Sequence, residues 1–446
     1  MKIVIAGAGE VGTHLAKMLS GADHEITVID IDPKLLEEIE GLNDVITVEG
    51  NASTFSTLKK AGVRKADLFI AVAHEENINI ISATLAKQLG ARKSIARIDN
   101  NEYLEPNNKE VFINMGIDYL FYPERIAAKE IIKLLGHTSS TEFVDFSGGM
   151  LSLVVFKLDE SSSLVDKTLL EATLNRDNLP YRTVAIARDG RTIIPRGDDR
   201  FHAGDMIYVI TNRNSVEEVL NYSGKANIDI KNMMILGGSR IGVGVAAGLE
   251  KEVNIKLVEY NQEKAYRLAE QLDNTLIIHE DGRDIDAMLE EGLDTMDAFV
   301  AVTGRSETNI LAAMLAKRIG VKKVIAEVEN LNYINLAESI GIDTIINKKL
   351  ITASNIFRFT MTTDVQAIKC LTGSDAEVLE FIVKPNSPVT KQKIQELDFP
   401  RDAIIGGIVR GDSAMIAVGS SEINAYDRVV VFAMPDAIAK VGRFFN

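Results

Sequence analysis

The chain has 446 residues, a formal net charge of −15, 46% hydrophobic residues and one cysteine. That length exceeds one ordinary core and fits about three domains. The acidity excludes a sequence-independent grip on nucleic acid, which needs a basic surface, and disfavours broad adhesion to anionic lipid. The single cysteine, Cys370, excludes an internal disulfide and any multi-cysteine metal site, and it reads as a small buried hydrophobe.

From the first residue, a short apolar run, Lys2–Ala6, stops at glycines. It reads as a buried strand and not as a signal h-region. No apolar stretch approaches the roughly 20 residues that span a bilayer. Gly7-Ala8-Gly9-Glu10-Val11-Gly12 follows this strand directly and opens a helix over 11–19, where Val11, Leu15 and Leu19 share one face. Strand, glycine turn and helix are the context a dinucleotide fingerprint needs. Gly7 allows the tight turn, Gly9 lets a pyrophosphate approach, and Gly12 lets the helix pack. The helix N-terminus adds free N–H groups and partial positive charge. A purely structural glycine turn is the alternative.

The second strand, Glu25–Asp30, ends in an acid placed to accept both hydroxyls of a ribose. With Asp32 nearby and no arginine close behind, NAD(H) or an adenine nucleotide with a free ribose is favoured over NADP(H). The competing reading of Asp30 is a helix cap leading into Pro33. Further strands are expected at 45–48, 68–71, 94–98 and 119–121, separated by amphipathic helices. This alternation predicts a doubly wound, mostly parallel α/β sheet. The pattern then changes. Short runs at 151–158, 184–187, 192–195 and 206–210, broken by turn signals such as Asp189-Gly190, predict a small α+β domain.

The whole unit then repeats. The turn recurs as Gly237-Gly238-Ser239-Arg240-Ile241-Gly242, so Gly12 and Gly242 stand 230 positions apart. The same offset pairs Gly62 with Gly292, Asp67 with Asp297, Lys87 with Lys317 and Gly90 with Gly320. Runs at 378–383, 404–409, 415–418 and 428–432 repeat the smaller domain, and Arg188 and Asp205 correspond to Arg410 and Asp427. The expected domains are 1–123, 140–226, 230–348 and 366–446, with soft joins near 136–140 and 221–231. In the second copy Ser239 replaces a glycine and would crowd a pyrophosphate, though its hydroxyl could also donate to it. Glu259 takes the ribose-acid position, and Arg240 is either a phosphate contact or solvated.

Catalysis finds no support. None of the six histidines forms a dyad with a neighbouring carboxylate, none recurs in both copies, and no metal-ligand spacing is present. An NAD-dependent oxidoreductase is the alternative function. A DNA-binding repressor lacks a basic helix-turn-helix.

The residues from Gly7 to Gly12, Asp30, Gly50-Asn51-Ala52-Ser53, the run from Ala71 to Asn77, Ala96-Arg97 and Phe121-Tyr122-Pro123 resemble the potassium-channel regulatory (RCK, or KTN) domain. Two such domains in tandem, each with its small C-terminal companion, resemble the TrkA family of peripheral regulatory subunits of Trk-type potassium uptake systems. The resemblance implies binding of NAD(H) or ATP/ADP in the larger domains. It also implies a homo-oligomeric ring, dimer or tetramer, held by a membrane potassium-conducting subunit at the cytoplasmic face of the membrane, and no enzymatic turnover. By the same resemblance, Gly7 to Val11 would hold phosphates and Asp30 the ribose. Asn51 and Ala52 would lie near the adenine, and Ala73, His74 and Arg97 near the phosphates or the distal half. In the second copy the matching residues are Gly237, Gly238, Ser239, Arg240, Ile241, Glu259, Asp281, Thr303, Gly304 and Glu327. Glu327 stands where the first copy has Arg97, so an anionic ligand loses a counter-charge there. Regulation would follow from unequal binding to two ring states.

Overall fold

The computed structural model describes residues 1–20, 24–41, 45–173, 181–221, 228–357, 359, 365–370, 374 and 376–445; the side chains of 365–370, Cys370 among them, and the join at 222–227 lie outside the described set. The chain forms two compact units, residues 1–126 with 351–360, and residues 127–350 with 361–446.

In the first unit, six strands run β1 Lys2–Ala6, β2 Glu25–Asp30, β3 Val45–Glu49, β4 Leu68–Ala71, β5 Lys93–Arg97 and β6 Tyr119–Phe121. All pair in parallel in the order β3-β2-β1-β4-β5-β6. Covered on both faces, these strands are apolar without alternation, and Val4, Ala6, Phe69, Ala71 and Ala96 form the centre of one core. Lys87 reaches Asp118 at 2.7 Å, and the Ser94 N–H donates to the same carboxylate at 2.7 Å, tying β5 to the approach to β6. Phe359, from the stretch between the two domains of the second copy, lies against Tyr119 with ring centroids 5.0 Å apart.

The second unit begins within the helix Pro123–Gly136 and carries three sheets. The first is antiparallel, built from β7 Glu142–Phe146, β8 Leu151–Lys157, β9 Tyr181–Arg188, β10 Arg191–Ile193 and β11 Met206–Asn212 in the order β10-β9-β11-β8-β7. The second repeats the parallel sheet with β12 Asn232–Leu236, β13 Asn254–Glu259, β14 Thr275–His279, β15 Ala298–Ala301, β16 Lys323–Glu327 and β17 Thr344–Ile346, in the same winding order. Lys317 and Asp343 repeat the edge tie at 2.6 Å. The third is antiparallel, with β18 Val365–Cys370, β19 Glu377–Ile382, β20 Ala403–Arg410, β21 Ser413–Ile416 and β22 Arg428–Ala433 in the order β18-β19-β22-β20-β21.

The strands β7 and β18 are additions to the sequence expectation. In β7, Glu142 and Asp145 interrupt the apolar run, so periodicity alone hides the pairing with β8. At the join near 136–140, Gly136 is exposed while Thr138, Ser139 and Ser140 are buried. Lys323 is 2% exposed and donates from Nζ to the carbonyls of Thr138 and Ser140, at 3.1 and 2.6 Å. From Ala128 onward the helix Pro123–Gly136 packs on the helix Arg240–Leu249, where a Cβ added to Gly244 would stand 2.9 Å from Ala128 and one on Gly248 2.5 Å from Ile132.

The two antiparallel sheets share a core in which Tyr208 meets Phe432 at 5.9 Å and a Cβ on Gly407 would press to 2.7 Å from Leu151. Each is locked by a repeated buried acid. Asp205 takes Nε and a terminal nitrogen of Arg188 at 2.7 Å each, and Asp427 takes those of Arg410 at 2.9 and 2.7 Å. These bidentate pairs also hold the preceding turns, through the N–H of His202 and of Asn424.

Candidate functional site

In the first copy the three glycines separate by environment. A Cβ on Gly7, at φ +110°, would lie 2.7 Å from the Ala73 backbone, and one on Gly12 would lie 1.8 Å from the Gly7 carbonyl. Packing alone requires both. Gly9 has nothing within 4 Å of an added Cβ, so the fold itself makes no demand for glycine there. It precedes the helix Glu10–Ser20, whose first N–H groups face the gap between β1 and β4 at which the strand order reverses.

Asp30 ends β2 beside this turn. The Ala8 N–H donates to its Oδ2 at 2.6 Å and the Asp32 N–H to its Oδ1 at 2.9 Å. The cap of the following helix is Asp32, which accepts from the Lys34 N–H, so the capping alternative for Asp30 fails. Each Asp30 oxygen keeps acceptor capacity, as two ribose hydroxyls require. The Gly50 N–H donates to the Asp30 carbonyl at 2.8 Å, which sets Asn51 and Ala52 next to β2. Asn51 is exposed and its Oδ1 accepts from the N–H and hydroxyl of Ser53; Ala52 is buried.

Ala73 follows β4, and His74 is exposed in the same loop. Asn79, which sequence reasoning missed, organises this edge. Its Oδ1 accepts from the Ala73 N–H at 2.7 Å, and its Nδ2 donates to the carbonyls of Ala73 and Arg97 at 3.0 and 3.1 Å. Asn79 is 1% exposed, and Asn309 repeats the clamp on Thr303 and Glu327. The signal was present, since the two asparagines stand at the same offset of 230. Arg97, at the end of β5, meets Asp99 at 3.3 Å and Glu124 at 3.7 Å. Among the described residues its buried Nε has no hydrogen-bond partner.

The second copy has the same frame and different chemistry. Gly237 repeats the tight approach, 3.0 Å from the Thr303 backbone. Ser239 turns its hydroxyl inward as the cap of the helix Arg240–Leu249 and accepts from the Gly242 N–H at 3.3 Å, which explains how the turn accommodates a side chain. Arg240 is exposed and Ile241 is buried. Glu259 accepts from the N–H groups of Gly238 at 3.1 Å and Asn261 at 2.9 Å and pairs with Lys264 at 2.7 Å. Burial pushes its carboxyl upward, but Lys264 and the two amides outweigh that and hold it below the usual carboxylate range. Asp281 is held bidentate by Arg283, Gly304 is exposed, and Glu327 pairs with Lys348 at 3.0 Å. Lys348 also meets Glu329 at 2.5 Å. Desolvation would lower the lysine's pKa, yet the two carboxylates raise it above the ordinary value.

Each half thus gathers a glycine turn, a β2-end acid and the loop after its fourth strand at one crevice. Residues 3–123 and 233–348 match the TrkA-N domain family, and residues 153–224 and 378–446 match the TrkA-C domain family. The chain belongs to the TrkA family. It is 33% identical over 448 residues to a Trk system potassium uptake protein TrkA homolog of Archaeoglobus fulgidus, with 100% of both chains covered. The TrkA-family fold is shared with two solved structures. The GsuK channel bound to NAD matches with TM-score 0.62 at 16% identity, covering 100% of this chain and 78% of that one. GsuK bound to ADP matches with TM-score 0.51 at 14% identity, covering 80% and 68%. Among the described residues, no helix of this family member is long and apolar enough to cross a membrane.

Proposed function

We propose that this TrkA-family chain is a nucleotide-sensing regulatory subunit, without turnover, that gates a Trk-type membrane potassium uptake protein from its cytoplasmic face. Its ligands are NAD(H) or ATP/ADP, held by the residues assigned above within domains 1–123 and 230–348, each followed by its companion at 140–226 and 366–446. The observation that carries this reading is the pairing of an open Gly9 with Asp30, whose two oxygens are oriented by the Ala8 and Asp32 amides. A relative of the same length bears the Trk uptake name, and structures of this fold have been solved with NAD and with ADP.

The ring is supported by a repeated apolar surface. Ile81 and Leu311 occupy the same helix position in the two copies and are 48% and 56% exposed. Val111 and Met115 in one copy, and Leu336 and Ile340 in the other, are likewise exposed one helical turn apart. Exposed apolar residues at corresponding positions of both repeats suit closed assembly of several chains as dimer or tetramer. Potassium flux through vesicles carrying the Trk-type membrane subunit should change when this chain is added, and change again with NADH or ATP. A flux indifferent to both nucleotides rejects the reading.

Cofactor choice follows from Asp30 and Asp32. A 2′-phosphate placed beside two carboxylates is repelled, so NADPH should bind at least about tenfold more weakly than NADH, roughly 1.4 kcal/mol. Calorimetry with both cofactors checks this, and equal affinities would mean that Asp30 does not face the ribose.

A further inference from the structure

The two antiparallel sheets meet across a seam that their shared ancestry of pattern would make symmetric and that their residues make one-sided. β9 Tyr181–Arg188 and β20 Ala403–Arg410 are equivalent strands of eight residues, with Arg188 and Arg410 standing 222 positions apart. Each strand bulges at the same place. Val184 is skipped in the pairing of β9 with β11, and Gly406 in the pairing of β20 with β22. A bulge re-aims its extra residue out of the ladder. Here the two extra residues meet, since a Cβ on Gly406 would stand 3.1 Å from Val184 Cγ1.

Copy one carries Val184-Ala185 at this place, and copy two carries Gly406-Gly407. Neither glycine has a positive φ, so the backbone does not call for them, and glycine weakens a strand. What they supply is room. A Cβ on Gly406 would lie 2.7 Å from Ile210, and one on Gly407 would lie 2.7 Å from Leu151, both fully buried side chains of copy one. The corresponding residues of copy two are Phe432 and Ala376. The polar links across the seam are one-sided too. Arg182 donates to the Ala417 carbonyl, and the Ser147 hydroxyl donates to the buried Glu380. The equivalent of Arg182 in copy two is Ile404, and the equivalent of Glu380 in copy one is Val155.

We infer that this seam selects its partner: the first small domain pairs with the second and not with another copy of itself. Set against its like from another chain, the first domain would drive Leu151 and Ile210 into Val184 and Ala185, whose Cβ atoms fill the space that the glycines leave open. Two second domains would bring glycine against glycine, with Ala376 in place of Leu151, and would leave voids and lose the Arg182 link. Only the mixed pair fills the seam without overlap. A chain with both domains therefore satisfies both faces internally, and separate chains must join through other surfaces.

The test uses the full chain with Cys370→Ser and with Thr192→Cys/Ser374→Cys, at two positions whose hydroxyl oxygens lie 3.1 Å apart across the seam. Oxidation should close a disulfide within one chain, which leaves the mass on a non-reducing gel unchanged. Adding Gly406→Ala/Gly407→Ala should slow this cross-link at least about tenfold, and adding Leu151→Ala/Ile210→Ala to that chain should bring it back to within about twofold of the starting rate. A further variant exchanges the dipeptides. Val184→Gly/Ala185→Gly together with Gly406→Val/Gly407→Ala gives the first domain both the large side chains and the room for them. This chain should lose the internal cross-link and pair through its first domain, so light scattering should find a discrete assembly of about twice the wild-type mass. The inference is overturned if the alanine substitutions leave the cross-link unchanged, or if truncating Leu151 and Ile210 does not restore it. It is equally overturned if the exchanged chain forms no such assembly, because the glycines would then serve local packing alone.

Discussion

Replacing Gly9 by aspartate should weaken NADH binding by at least about a hundredfold and leave the unfolding temperature unchanged or slightly higher. The new carboxylate would stand at the helix N-terminus where the pyrophosphate must approach. Two unit charges about 4 Å apart repel by about 4 kcal/mol at an effective dielectric of about 20. The protein itself has no objection to the side chain, because nothing lies within 4 Å of an added Cβ. Aspartate is also a better helix cap than glycine. Loss of binding without loss of stability therefore separates a ligand role from a packing role. Gly7 and Gly12 cannot make that separation, since a Cβ at either meets backbone. Ser239→Asp should change NADH affinity by less than about twofold, because that turn already carries a capping side chain and belongs to the other crevice. Calorimetry on both variants decides the matter, and equal losses of NADH binding would overturn the ranking of the two turns.

The second large effect is one of stability. Glu377 lies in β19, and its buried Oε2 has no hydrogen-bond partner among the described residues. The equivalent residue of the first copy is Ser152, whose hydroxyl donates to Asp145 at 3.1 Å. Burial pushes the Glu377 carboxyl up from 4.5 to about 7. The folded chain therefore holds this proton more tightly than the unfolded chain does. Below pH 4.5 both states are protonated and there is no penalty. The penalty grows as pH rises from 4.5 to about 7 and is constant above that. A shift of that size corresponds to about 3 kcal/mol. Glu377→Gln should accordingly stabilise the second unit by about 3 kcal/mol at pH 8 and by almost nothing near pH 4.5. Thermal unfolding of both proteins across this pH range provides the measurement. A gain that does not vary with pH would show that the carboxyl is not protonated on folding.

By itself, the sequence determined the repeated design. The glycine turn directly after a strand, the acid ending the next strand and the register of 230 residues are local or self-similar features, and they specify two doubly wound sheets and two crevices. It also showed Arg188 and Asp205 recurring as Arg410 and Asp427, but their bidentate pairing appears only in the fold. The edge strands β7 and β18 depend on partners far along the chain, and their own residues alternate too poorly to announce them. The same holds for the helix Pro123–Gly136, whose apolar face finds Gly244 and Gly248 of the other repeat and not a surface of its own. Asn79 and Asn309 were visible as a repeat, but a buried amide acquires meaning only when two strand ends and a loop converge on its hydrogen-bonding groups. The ionic character of each crevice was likewise a tertiary matter. Lys264 reaches Glu259 across a turn, and Lys348 reaches Glu327 from 21 positions along the chain. Apolar periodicity reports which face of an element is buried, whereas the partner of a charge is chosen by whatever the folded surfaces bring within a few ångströms of it.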